Sequence, residues 1–145
     1  VKESPIRAER INHLGIAVRS LDEHRAYYET TLGAVFEGIE EVPEQKVRVA
    51  FYTVGPAGAE VRLELLEPTA PDSPIAAFLE KRGEGLHHVA YTVRDLDGRL
   101  AALREAGVRL IDQAPRNGAH GVRIAFLHPK STGGVLTELC EPRGP

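Results

Sequence analysis

Between Ile11 and Val18 the chain alternates: Ile11, His13, Gly15 and Ala17 fall on one face, Leu14, Ile16 and Val18 on the other. A period of two predicts a strand whose second face packs on a core. Ser20, three residues before Glu23, forms a capping box that opens a helix at about Leu21. That helix is expected to run through Tyr27 and Tyr28 to Leu32, with Gly33 closing it. Strands follow over 35–39, 47–54 and 61–67, with a polar loop at 40–46, a Gly-Pro-Ala-Gly turn at 55–58 and Pro68 as a stop. The pattern to this point is β-α-β-β-β.

The second half repeats it. His13 is matched by His88, Val18-Arg19 by Val93-Arg94 and Leu21-Asp22 by Leu96-Asp97. Arg48-Val49-Ala50-Phe51 returns 75 residues later as Arg123-Ile124-Ala125-Phe126, and Glu64-Leu65-Leu66-Glu67-Pro68 returns 74 later as Glu138-Leu139-Cys140-Glu141-Pro142. Landmarks kept in one order at an offset of 74 or 75 mark a duplicated module, over 10–68 and 85–142. The second copy predicts a strand at 87–93, a helix at 96–106 opened by Asp95 and closed by Gly107, and strands near 108–112, 122–128 and 135–140. Residues 69–84 have no counterpart and read as a connector. Asp72-Ser73-Pro74 starts a helix there, with Ile75, Phe78 and Leu79 as its apolar stripe, packed across the junction. Four strands cannot bury both faces alone, so the expected fold is α+β. Two tandem modules form one curved eight-stranded mixed sheet in a single domain, with helices outside.

A net charge of −3, with its basic residues scattered, argues against nucleic acid and leaves a small molecule as the expected ligand. Residues 1–9 read as a loose polar arm without the apolar stretch of a signal peptide, and no apolar run is long enough to span a bilayer. The single cysteine, Cys140, excludes an intrachain disulfide and fits a reducing, cytoplasmic setting.

The chemistry rests on four repeated side chains. His13 and His88 hold equivalent places on the first strands, Glu64 and Glu138 on the last ones. If a pseudo-twofold axis relates the copies, all four converge at the centre of the concave face. Two imidazoles and two carboxylates suit a borderline divalent ion with positions left for water or substrate. A lone histidine on an apolar strand is ordinarily a hydrogen-bonded core residue, and a lone glutamate ordinarily faces solvent. Duplication in register outweighs both readings. Glu67 stands at odd spacing from Glu64 and points to the opposite face. His87 has the wrong parity and should face helices or an interface. His24 falls on a helix surface, His128 in a turn, and Cys140 shares the parity of Glu138 but reads as a packed small residue.

With their surroundings, "NHLGIAV", "ELLEP", "GLHHVAYTV" and "GVLTELCEP", these residues resemble the metal ligands of the vicinal oxygen chelate superfamily. The connector "SPIAAFL", the "GAHG" loop and "FLHPKSTGGVLTEL" are most similar to its methylmalonyl-CoA epimerases. The resemblance covers residues 10–142. It implies His13, Glu64, His88 and Glu138 as ligands of a divalent ion, cobalt or manganese ahead of nickel or zinc, in a homodimer acting on an acyl-CoA thioester. The implied reaction interconverts the 2R and 2S epimers by removing the C2 proton, stabilising an enolate and reprotonating its other face. Some epimerases of this family carry an additional basic glutamate where this chain has Val49, which cannot transfer a proton. Glu138 is therefore expected as the main base and Glu64 as the opposing one. His120, on a glycine-flanked loop, is a further candidate substrate contact, and Arg82, Arg116 and Lys130 are candidate phosphate contacts. The alternatives are a glyoxalase I-type lactoylglutathione lyase, a ring-cleaving dioxygenase and a non-enzymatic small-molecule binding protein of the same fold.

Overall fold

A computed structural model describes residues 3–143. These residues divide into two compact units, one made of residues 13–87 and the other of 3–12 with 88–143. In the first, β1 (Arg10–Ala17) lies parallel to β4 (Val61–Pro68), β4 antiparallel to β3 (Val47–Val54), and β3 antiparallel to β2 (Val35–Val42). In the second, β5 (Gly85–Thr92) lies parallel to β8 (Thr137–Glu141), β8 antiparallel to β7 (Arg123–Leu127), and β7 antiparallel to the short β6 (Arg116–Asn117). Each unit thus repeats one strand order with mixed pairing, and the described residues carry eight strands.

The helices cover one face of each unit. Helix α1 (Leu21–Arg25) starts where the capping box places it, with the Ser20 hydroxyl accepting the Glu23 N–H. It does not continue as an α-helix to Leu32. From Ala26 to Thr31 it widens into a π-helical turn, and the Leu32 N–H reaches back five residues to the Tyr27 carbonyl. In that turn Glu29 accepts hydrogen bonds from Arg25 Nε and from the Tyr52 hydroxyl, both at 2.7 Å. Burial, reinforced by the adjacent Glu29 carboxylate, pushes the Tyr52 phenol up to about 12. The core beneath includes Val18, Leu21, Ala50, Tyr52 and Leu65, joined by Leu14 and Ile16 from the face of β1 that the alternation assigned to it.

Helix α3 (Leu96–Glu105) buries Leu96, Leu100 and Leu103, one helical stripe, against Val93, Ala125, Leu127 and Leu139. Asp95 caps it by accepting the Gly98 N–H. Helix α2 (Pro74–Arg82) is capped by Ser73 and buries Ile75 and Leu79. His87 meets the edge of Phe78 on this helix at 4.9 Å, so its off-parity side chain does face a helix.

Three local expectations need correction. β2 extends to Val42 rather than ending at residue 39, because Glu40 and Glu41 pair with Val49 and Arg48 on an edge strand that tolerates carboxylates. No strand forms over 108–112 beyond one bridge between Leu110 and Leu127. Ile111 and Asp112 both donate to the Phe126 carbonyl, and the Asp112 side chain accepts the Phe126 N–H, so a side chain takes the place of the ladder. The fourth strand, β6, lies instead within the glycine-rich segment 116–121, whose composition predicts a loop. The described part of the amino-terminal arm is also tied down, with Glu9 paired to Arg94 and Ile6 packed on the α3 core. None of the described helices is long and apolar enough to cross a membrane.

Candidate metal centre

The two units carry the same local arrangement on the sheet face away from their helices. In one, Glu64 on β4 stands between Gly15 on β1 and Phe51 on β3. In the other, Glu138 on β8 stands between Ala90 on β5 and Phe126 on β7. The small neighbour leaves space beside each carboxylate, and the ring walls its other side. Two residues before the small neighbour, on the same face, come His13 and His88.

Within each unit the imidazole meets the carboxylate. His13 Nδ1 lies 3.2 Å from Glu64 Oε2, and His88 Nε2 lies 3.8 Å from Glu138 Oε1. All four residues are buried, at 4–6% exposure. Taking a carboxylate out of water costs several kcal/mol unless positive charge or donors compensate it, so two such pairs point to a role beyond packing. Donor atoms about 2.1 Å from one ion stand ~3 Å apart in adjacent positions. The His13–Glu64 spacing is of that order, the His88–Glu138 spacing is wider, and the donor set fits a divalent ion. Cys140 donates from Sγ to Glu138 Oε1 at 3.3 Å and packs with Ala90, Ile124 and Phe126, so it is a buried core residue that also borders the candidate ligand.

The remaining candidates fall elsewhere. His120 is exposed on a short turn with φ of 58°. His24 Nε2 lies 2.7 Å from Glu84 Oε2, and the Arg19 N–H donates to that same carboxylate oxygen. The Arg19 donor, assisted by His24, lowers the Glu84 carboxyl below its ordinary range. His128 caps its turn by accepting the Lys130 N–H at Nδ1. Val49 is buried and apolar, as its sequence position required.

One repeated device escaped sequence reasoning. Glu67 accepts the Leu21 N–H at 2.9 Å and pairs with Arg48 at 3.0 Å. Glu141 accepts the Leu96 N–H at 3.2 Å and pairs with Arg123 at 3.0 Å. Each brace ties the first turn of a helix to two strands, three residues beyond the candidate ligand on the same strand. The signal was present, since Leu21, Arg48 and Glu67 all recur in the second module. Replacing Glu141 by alanine is expected to cost about 1 kcal/mol of stability, the ordinary worth of a helix cap. Urea denaturation checks this, and an unchanged midpoint would show the brace to be idle.

Comparison with known proteins accords with this geometry. Residues 12–126 match the Glyoxalase/Bleomycin resistance protein/Dioxygenase superfamily. An uncharacterized Bacillus subtilis protein, YqjC, is 51% identical over 93% of this chain and 94% of its own. An ethylmalonyl-CoA/methylmalonyl-CoA epimerase of Cereibacter sphaeroides is 42% identical over 90% of this chain and 96% of its own. The solved structure of a Streptomyces coelicolor methylmalonyl-CoA epimerase variant, in complex with 2-nitronate-propionyl-CoA, superimposes with a TM-score of 0.88 at 41% identity. It covers 94% of this chain and 99% of that one. With its tandem four-stranded modules and their matched imidazole–carboxylate pairs, the chain belongs to the glyoxalase/bleomycin resistance/dioxygenase superfamily.

Proposed function

We propose that this protein is a methylmalonyl-CoA epimerase that inverts C2 of its thioester substrate by proton removal and return. The observation that carries the reading is the duplicated buried pair, His13 with Glu64 and His88 with Glu138, in a chain about 40% identical to epimerases over most of its length. In this reading the four side chains are the ligands of one divalent ion, cobalt or manganese by preference, in a single domain of two modules that works as a homodimer. When bound, such an ion supplies Lewis-acid stabilisation of the negative charge that develops on the thioester oxygen as C2 loses its proton.

The protein's own groups perform the rest. Glu138 accepts the C2 proton from one face, and its burial between Ala90 and Phe126 keeps bulk water from competing for it. Glu64, equivalent under the repeat, returns a proton to the opposite face. Val49, where a third carboxylate would stand, leaves this duty to these two. Phe51 and Phe126 form apolar walls that strengthen charge interactions at the reacting carbon. The glyoxalase reading uses the same residue types and is separated by substrate alone. Incubation with one epimer of methylmalonyl-CoA in deuterated water is expected to give deuterium at C2 together with inversion. Turnover of a glutathione hemithioacetal with no deuterium entering methylmalonyl-CoA would replace the epimerase reading with the lyase one.

A further inference from the structure

Arg116 was a candidate phosphate contact in the sequence, and its placement points elsewhere. Opposed residues of an antiparallel pair project to the same side. The registers Arg116 to Ile124, Ile124 to Cys140 and Phe126 to Glu138 therefore set Arg116 on the face that bears Glu138. Its Cζ lies 5.6 Å from the centroid of the Phe126 ring, and that ring meets the His88 imidazole at 5.4 Å, nearly perpendicular. One contiguous chain of side chains thus joins the guanidinium to the imidazole–carboxylate pair.

Arg116 is held in place rather than draped on the surface. Asp112 Oδ1 lies 3.2 Å from its buried Nε as an ion pair without hydrogen-bond geometry, and the other Asp112 oxygen accepts the Phe126 N–H at 2.8 Å, so one carboxylate faces the cation and ties down the strand under it. β6 approaches β7 closely because residue 118 is glycine: a Cβ there would lie 2.9 Å from the Ile124 side chain. Among the described residues the terminal nitrogens Nη1 and Nη2 make no hydrogen bond, and the side chain keeps 37% of its exposure. Arg123 offers the contrast, since Asp97 and Glu141 already occupy it. A planar fork with its free edge beside an apolar wall is suited to a carboxylate, which it binds through two parallel hydrogen bonds.

The geometry points to Arg116 as the residue that recognises the free carboxylate of an acidic acyl thioester, and so selects that substrate class over neutral acyl thioesters. The inference rests on the thioester reading above and adds the source of its selectivity. Two ligands with the same branching, methylmalonyl-CoA and isobutyryl-CoA, differ by a carboxylate in place of a methyl group and serve as probes for calorimetric titration. Arg116→Gln is expected to weaken methylmalonyl-CoA about 10- to 100-fold and to leave isobutyryl-CoA within about twofold. Arg116→Lys should fall between, keeping the charge without the fork, and unchanged urea midpoints show that the variants are folded. Equal loss of both ligands would move Arg116 to the coenzyme phosphates and overturn the proposal. So would an unchanged preference in Arg116→Gln while the wild type binds methylmalonyl-CoA. A wild-type protein that binds neither thioester would overturn the proposal together with the thioester reading, a result distinct from the other two.

Discussion

Replacing Glu138 by glutamine is expected to slow epimerisation by about 10²–10⁴-fold, the usual contribution of a positioned general base. Glutamine keeps the shape of the buried side chain and can still accept from the Cys140 thiol, so the fold should survive with an unchanged circular dichroism spectrum. What it removes is the ability to take a proton. Glu64→Gln should behave differently. With the epimer whose C2–H faces Glu138, deuterium should still wash in from solvent, while inversion stops because nothing donates to the other face. Proton nuclear magnetic resonance at C2 follows exchange, and a coupled assay for the opposite epimer follows inversion. Undiminished exchange of that same epimer in Glu138→Gln would end its assignment as the base. Equal inversion rates in Glu64→Gln and wild type would end the two-base scheme.

Removal of divalent ions should have the other large effect. Two carboxylates buried at 4% and 6% exposure repel each other if brought together without a cation, and the loss should appear in stability as well as rate. An ion present at about 1,000 times its dissociation constant contributes ~4 kcal/mol to the folded state. For a chain of this size that corresponds to about 8–16 °C in the thermal midpoint. Treatment with a chelator is therefore expected to lower the midpoint by that order and to abolish C2 exchange, with both restored by cobalt or manganese. His13→Ala and His88→Ala should mimic the chelated protein and lose most of the response to added ion. A midpoint indifferent to chelator, in protein that retains full exchange, would remove the ion from the reading altogether.

Much of the fold was legible because its signals are local or repeated. The alternation in β1 assigned Leu14, Ile16 and Val18 to the core, where they pack. Ser20, Ser73 and Asp95 each cap the helix they were expected to start, because a short polar side chain before an apolar run can meet a free N–H of the first turn. The misread segments share a different cause. Whether Ala26–Thr31 closes as an α or a π turn depends on what its side chains meet, including Tyr52 more than twenty residues on. Residues 108–112 had the composition of a strand, yet Asp112 spends its side chain on the Phe126 N–H and ends the ladder. Edge strand β6 was invisible because two residues carry no periodicity.

The sequence by itself determined that the chain is a tandem repeat, and with that the identity of the four candidate ligands. Equivalent positions in equivalent strands must project alike, since side-chain direction on a strand follows parity. Only the tertiary structure decided which groups stand close enough to interact. It set His13 at 3.2 Å from Glu64 and His88 at 3.8 Å from Glu138, turned Glu67 and Glu141 into helix braces, and laid Arg116 over Phe126. Parity is a property of the backbone alone and can be counted along the chain. Proximity depends on strand register and on the packing of residues far apart in sequence, which no local count contains.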